Sequence, residues 1–251
     1  MNMSALLYSR VFLLPLIALL MVISFQAVSS VTMIGSRIIY PEGSKSVNVE
    51  FKNADAIPYA VQGWFDSGDV NSTAQTGRAP FTASPALFRI MPGSGQVMRV
   101  TFTGNPASLP DDRESVLYFN FLQIPPSNAL ENMDNRQNKM LIMLKNRVKV
   151  FYRPKAILPE VASAPDLIKV RTEAAQGNIR VHVKNPSPIH ISMVSITLKD
   201  GKKEVKQRAD MISPFSEKSY LFKTSTGGGL TAVIEYISDQ GARISKEYAV
   251  S

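Results

Sequence analysis

Hydrophobic and polar residues alternate with period two along much of this chain. Ser46-Val47-Asn48-Val49-Glu50-Phe51 does so cleanly, Gln96 to Phe102 over most of its length, and Tyr118 to Ile124 approximately. Tyr59 to Phe65 is a further run, rich in apolar and aromatic residues. Successive side chains of a strand point to opposite faces, so alternation predicts strands with one buried face. Pro41-Glu42-Gly43, Asn53-Ala54-Asp55, Pro92-Gly93 and Leu109-Pro110-Asp111-Asp112 separate the runs with turn-forming residues. No segment carries a convincing helical period. Short strands at this spacing predict an antiparallel sandwich.

The character changes near Arg153. Arg153-Pro154, Pro159 and Pro165 punctuate a segment with little alternation, the composition of an interdomain connection. Strand patterns then resume at Ile179 to Lys184, Ile189 to Leu198, Ser219 to Phe222, Leu230 to Ile237 and Ile244 to Val250. This second block, roughly 90 residues, is long enough for a smaller sandwich of its own. The pattern predicts domains at 30–153 and 154–251, with no exact internal repeat.

Leu117 to Pro154 is the most informative stretch. It reads LYFNFLQIPP, a polar Asn-rich spacer, then MLIMLKNRVKVFYRP. Met140 to Leu144 is apolar on both faces of a strand, with cations close behind. A fully buried central strand has that composition. So does an edge strand kept apolar to pair with a strand from another protein. The residues alone leave both readings open.

The N-terminus carries an address. Arg10 precedes the apolar run Val11 to Phe25, and Ala27-Val28-Ser29 offers small residues where a signal peptidase cuts. The run is short for a bilayer span of about 20 residues and contains Pro15. Residues 1–29 therefore read as a secretory signal, leaving a mature chain without stable membrane insertion. The chain has no cysteine, so no disulfide framework holds it despite an export route that would permit one.

Composition narrows the classes further. A chain of 251 residues that is 45% hydrophobic and 19% charged is globular rather than disordered. Its formal charge of +8 raises nucleic acid as a partner, but the Lys and Arg residues are scattered and no recognition motif accompanies them. Nucleic-acid binding is not expected.

Catalytic chemistry is equally thin. His182 and His190 stand in no metal-ligand spacing and read as ordinary strand residues. Met91-Pro92-Gly93-Ser94-Gly95 is a turn, Asp111-Asp112 a loop corner and Gly227-Gly228-Gly229 a hairpin tip. We expect no catalytic residue, metal or cofactor, and no enzyme. A binding protein and a structural or adhesive two-domain surface protein both remain open on this ground.

Several motifs now resemble one family. Ser36-Arg37-Ile38-Ile39-Tyr40, Ile57-Pro58-Tyr59, Arg89-Ile90-Met91-Pro92-Gly93 and Leu109 to Ser115 occur in order. Tyr118-Phe119-Asn120 with Ile124-Pro125-Pro126, and Arg147 to Pro154, carry the most weight. Lys184 to Pro188, Ile212-Ser213-Pro214 and Tyr236 to Asp239 continue the series in the second block. The chain resembles the PapD-like periplasmic pilus-assembly chaperones over nearly all of its mature length.

The resemblance implies two immunoglobulin-like antiparallel β-sandwich domains around a cleft, working in the periplasm. Its partners would be pilin subunits, which lack their last strand, and an outer-membrane usher. A strand of the first domain fills the subunit's open groove; here Met140, Ile142 and Leu144 would enter it, with Leu141 and Met143 turned to the chaperone's own core. Arg37 and Lys149 map to the pair that anchors the subunit's terminal carboxylate. Lys149 has the opposite parity to Met140, Ile142 and Leu144, so a twist or bulge near Lys145-Asn146 is expected to re-aim it. Glu114, Arg153 and Asp239 map to an interdomain charge cluster. The spacer Ser127 to Asn138 is somewhat long for the family's short-loop branch, but the long-loop branch usually has cysteines and a longer donor segment, so the resemblance favours the short-loop branch. Without a subunit, the apolar strand also offers a route to self-association.

Overall fold

The computed structural model describes residues 30–126, 142–201, 203–224 and 229–251. The signal segment, the spacer before the apolar strand, and Met140 and Leu141 lie outside the described residues.

Strands β1 (Val31–Met33), β2 (Arg37–Pro41), β3 (Val47–Asn53), β4 (Tyr59–Asp66), β5 (Phe81–Ser84), β6 (Leu87–Ile90), β7 (Gly95–Phe102), β8 (Ser115–Ile124) and β9 (Leu144–Arg153) build the first sandwich. One sheet runs β1-β3-β7-β5 and the other β2-β9-β8-β4-β6. Their inner faces close over Phe51, Phe65, Phe81, Phe119, Phe121, Met98 and Val100. The rings of Phe51 and Phe121 meet edge to face at 5.2 Å, and those of Phe65 and Phe119 lie 5.0 Å apart. Gly63 stands mid-strand because a Cβ there would meet the Phe119 ring at 2.9 Å.

The first strands set up the site. β1 pairs with β3 in one sheet, and β2 pairs with β9 in the other. Gly35, with φ of +95°, makes the corner where the chain changes sheets. Every pairing between named strands is antiparallel except β2 with β9, which is parallel. The expectation of purely antiparallel sheets is corrected at this pair. Because the chain enters the second sheet only at Arg37, β2 covers β9 from Lys149 to Arg153 and no further. Among the described residues, the edge of β9 from Leu144 to Val148 has no strand beside it.

The second sandwich comprises β10 (Lys169–Ala175), β11 (Asn178–Asn185), β12 (Met193–Asp200), β13 (Lys203–Arg208), β14 (Ser216–Phe222), β15 (Thr231–Ile237) and β16 (Arg243–Ala249). Its sheets run β10-β11-β14 and β13-β12-β15-β16 around Ile179, Val181, Ile196, Ile212, Phe222 and Ile234. The Pro-punctuated segment forms two short 3₁₀ turns, and its Ile157 and Ala164 join this second core.

One strand begins later than its pattern predicts. Ile189 to Ser192 lie before β12, held by a bridge from Ile191 to Ile212 and by the Ile237 N–H donating to the Ser192 carbonyl. Pro186 and Pro188 lack the N–H a ladder needs, so backbone groups here turn to the first domain instead. The Glu114 N–H donates to the Pro188 carbonyl at 2.9 Å.

Candidate functional site

Alternation along β9 assigns its two faces. Val148, Val150 and Tyr152 point into the first core, opposite Phe119, Leu117 and Ser115 of β8. Leu144 stands opposite Gln123, whose amide closes that end of the core by bonding to Ser30 and to both backbone groups of Val31. Leu144 therefore continues the core stripe beyond the core, and is 49% exposed. Ile142, two residues earlier, is 65% exposed. The open edge and this exported stripe end on the same stretch of backbone.

Two expectations change. Met143 is 54% exposed rather than turned into the chain's own core, because the inward face of β9 belongs to the even-numbered residues. The β8–β9 register runs without a shift from Ser115 opposite Tyr152 to Gln123 opposite Leu144, so no bulge re-aims Lys149. Lys149 belongs to the outer face with Phe151 and Arg153, towards the second domain. The opposite parity of Leu144 and Lys149 gives the strand two separate surfaces.

Arg37 and Lys149 are opposite each other in the parallel pair and share that outer face. Arg37 Nη1 donates to Ser192 Oγ at 3.3 Å and to the Ile237 carbonyl at 3.1 Å, both in the second domain. The guanidinium lies 5.8 Å from the centre of the Phe151 ring. Nε is buried and has no partner among the described residues. Burial holds the Arg37 pKa below its ordinary value, opposed by Asp239 and Glu114. Burial and then the Arg37 charge depress Lys149, with Asp210 pulling the other way and Lys218 adding to the depression. Two cations held together in a half-buried cleft make a site whose field favours an anion.

Glu114, Arg153 and Asp239 also come together. Arg153 Nε donates to Glu114 Oε1 at 2.7 Å, while Nη1 and Nη2 fork onto Asp239 at 2.6 and 2.8 Å. Burial works against the charged guanidinium, but the two carboxylates raise its pKa on balance. Glu114 is 2% exposed and also accepts from the backbone N–H of His190 at 2.9 Å. His190 Nδ1 lies 2.9 Å from the same oxygen, and the ring sits 5.7 Å from Phe151. Reading His190 as an ordinary strand residue was wrong: it is a fourth member of this interdomain network. No sequence signal marked it, since only the Pro-rich turn before it brings it to Glu114.

A second buried network went unread. Asp66, 1% exposed at the end of β4, accepts a two-pronged bond from Arg147 at 2.6 and 2.7 Å. Asn120, Ser72 and the Gly68 N–H complete its shell. Burial pushes the Asp66 carboxyl up, but these hydrogen bonds hold it below its usual range. The Arg147 guanidinium stacks 3.9 Å from the Tyr118 ring centre, next to Lys149 across the β8–β9 pair. His182, by contrast, remains a strand residue, held by Glu173 and Glu217.

Comparison with known proteins agrees with this fold. Residues 30–158 match the family model of the pili and flagellar-assembly chaperone PapD N-terminal domain, and residues 163–248 that of the pili assembly chaperone PapD C-terminal domain. The probable fimbrial chaperone YadV of Escherichia coli strain K12 is 33% identical over 226 residues, 89% of this chain and 91% of that protein. The chaperone protein HifB of Haemophilus influenzae is 34% identical over 220 residues, 87% of each. The crystal structure of the YadV chaperone superposes with a TM-score of 0.72 at 29% identity, covering 88% of this chain and all of that one. Among the described residues no helix is long and apolar enough to cross a membrane. The chain belongs to the PapD-like family of pilus-assembly chaperones.

Proposed function

We propose that this chain is a periplasmic chaperone that captures unassembled pilus subunits on strand β9 and hands them to an outer-membrane usher. Residues 1–29 act as the export signal, 30–153 as the subunit-binding domain and 154–251 as the second wall of the cleft. Its relatives' names identify fimbrial chaperones, and its own geometry supplies a way to do that work.

The carrying observation is that the open edge of β9 ends at two cations. An added strand would lie in line with β2, and one of its ends would abut Arg37 and Lys149. Running parallel to β9, it brings a carboxylate there; running antiparallel, it brings an ammonium. Charge therefore selects the parallel orientation and fixes where the strand stops, which sets its register. The Nη1 group of Arg37 is taken by the second domain, and its buried Nε has no partner among the described residues, so a carboxylate satisfies a donor otherwise left over there.

The exported stripe supplies affinity. Met140, Ile142 and Leu144 enter the subunit's groove, each worth roughly 1.5–3 kcal/mol as an upper bound when fully buried. Edge hydrogen bonds along Leu144 to Val148 add direction rather than large net energy.

Co-expression with a pilin subunit in the periplasm tests the reading. The wild-type chain is expected to recover the subunit as a soluble one-to-one complex that resists proteolysis. Equal degradation of the subunit with and without the chain would end the proposal.

A further inference from the structure

We propose that Ser192, with the backbone carbonyl of Ile237, is a positioning element for Arg37, so that the second domain determines carboxylate recognition without touching the carboxylate. This rests on the reading that Arg37 receives a strand's C-terminus. A guanidinium has two edges able to fork onto a carboxylate, and which one faces the cleft depends on what holds the others. Here Nη1 is fixed from the far side by Ser192 Oγ and the Ile237 carbonyl. That leaves Nε, buried and without a partner among the described residues, to bond alongside Nη2, the edge that makes two parallel N–H···O bonds.

The acceptors are themselves held rigidly. Ser192 is 5% exposed, and its carbonyl accepts from the Ile237 N–H at 2.9 Å, locking the two acceptors to each other. Immediately after Ser192 the β12–β15 register shifts between Met193 and Ser195, a local irregularity beside the cleft. Phe151, 2% exposed, forms a floor under the guanidinium and restricts its tilt. Arg37 starts a strand of one domain, so its side chain alone has many rotamers. The contacts from the other domain select one before a ligand arrives, which removes that ordering cost from binding.

The same contacts connect capture to the domain arrangement. A shift between the domains moves Ser192 and Ile237 with the second sandwich and carries the Arg37 head group off its edge-on orientation. The Arg153 fork onto Asp239, in the turn following β15, resists such a shift from the same side. Cleft geometry and carboxylate affinity therefore vary together.

The test uses the full mature chain and two synthetic strand peptides of alternating valine and serine, one with a free α-carboxylate and one with a C-terminal amide. The readout is the ratio of their affinities: a merely structural defect lowers both affinities and leaves the ratio unchanged. Ser192→Thr and Ser192→Val have nearly the same shape and differ in the hydroxyl. The wild type and Ser192→Thr are expected to share one acid-over-amide preference. Ser192→Val is expected to reduce it about tenfold, the lower scale of losing one hydrogen bond to a charged group. Arg37→Ala is the reference and should abolish the preference. If Arg37→Ala abolishes it while Ser192→Val retains the full ratio, the positioning role is overturned and the anchoring role stands. If the wild type shows no preference, both are overturned.

Discussion

Arg37 and Lys149, 112 positions apart in sequence, stand directly opposite each other in the parallel β2–β9 pair, and the free edge of β9 begins where their pairing ends. A strand laid along that edge must stop at the two cations. The site is therefore defined as much by where β2 starts as by the side chains it presents.

Arg37→Ala is expected to weaken subunit capture about a hundredfold, the upper range for a charge-assisted bidentate contact. Arg37→Lys should recover little of this, because an ammonium cannot reproduce the planar fork. Titration of a purified subunit against each variant by fluorescence or calorimetry measures both. Near wild-type affinity for Arg37→Lys would show that charge alone suffices and that the fork geometry is unimportant.

Lys149→Met should separate stability from function. Burial and the Arg37 charge depress the Lys149 pKa in the folded chain, so folding binds fewer protons here than the unfolded state does. Between the depressed value and that of an ordinary lysine, the free protein gains stability as pH rises; below that window the cation costs stability. Lys149→Met removes the cost at neutral pH and is expected to raise the melting temperature by about 2 °C while lowering subunit affinity. Thermal melts at neutral and alkaline pH check the sign. A lower melting temperature would mean that Lys149 contributes packing or bonding that outweighs its desolvation.

The interdomain network should respond as a unit. Glu114→Ala leaves Arg153 half paired and the His190 N–H without an acceptor in a buried position, a cost of about 3–5 kcal/mol. His190→Phe keeps a ring against Phe151 but removes the Nδ1 contact, and should cost about 1 kcal/mol. A double-mutant cycle by denaturant unfolding should show coupling between the two. Simple additivity would make the His190 contact energetically idle.

These residues also mark how far the sequence could be read. Alternation located most strands, because one-sided burial leaves a period of two wherever a strand faces a core on one side only. Val47 to Phe51 and Gln96 to Phe102 fall inside β3 and β7 for that reason. The parallel contact of β2 with β9 left no local trace: it depends on a change of sheet at Gly35 and on a partner more than a hundred residues away. Glu114, Arg153 and Asp239 were nameable through family resemblance, not through spacing. His190 and the Asp66–Arg147 pair escaped because a buried ion pair looks, in one sequence, like two unrelated charges. The side assigned to Met143 was wrong for a simpler reason. The core-facing parity of β9 is fixed by Val148, Val150 and Tyr152, and counting back from them would have given it.

Asp66→Asn removes the charge that Arg147 forks onto, inside a shell of three further donors and the Tyr118 ring. With Asp66 1% exposed, the expected loss is about 3 kcal/mol, and the wild type should be the more acid-sensitive of the two. The folded-state carboxyl sits below its unfolded value of about 4. Its contribution is complete above that unfolded value and disappears as pH falls through the folded one. Denaturant midpoints from neutral pH down to acid should show the variant's curve running flatter and meeting the wild type's at the acid end. Parallel curves would indicate that Asp66 is not the titrating group behind this part of the acid limb.

The exported stripe makes the clearest separation of binding from folding. Ile142 and Leu144 are 65% and 49% exposed, so the free protein gains little by keeping them apolar. An aspartate at either position stays hydrated in the free chain but must lose its water to enter an apolar groove, and an unpaired carboxylate does that at a cost of several kcal/mol. Ile142→Asp and Leu144→Asp should therefore leave the melting temperature within about 1 °C of wild type, as surface substitutions do. Subunit capture should fall by at least about a hundredfold for each. Val97→Asp, at a residue 49% exposed on the opposite sheet, should change neither quantity and controls for exposed apolar area as such. If the Ile142 and Leu144 variants captured subunit as well as Val97→Asp does, the groove would be filled by some other part of the chain, and the open edge would serve through its backbone alone.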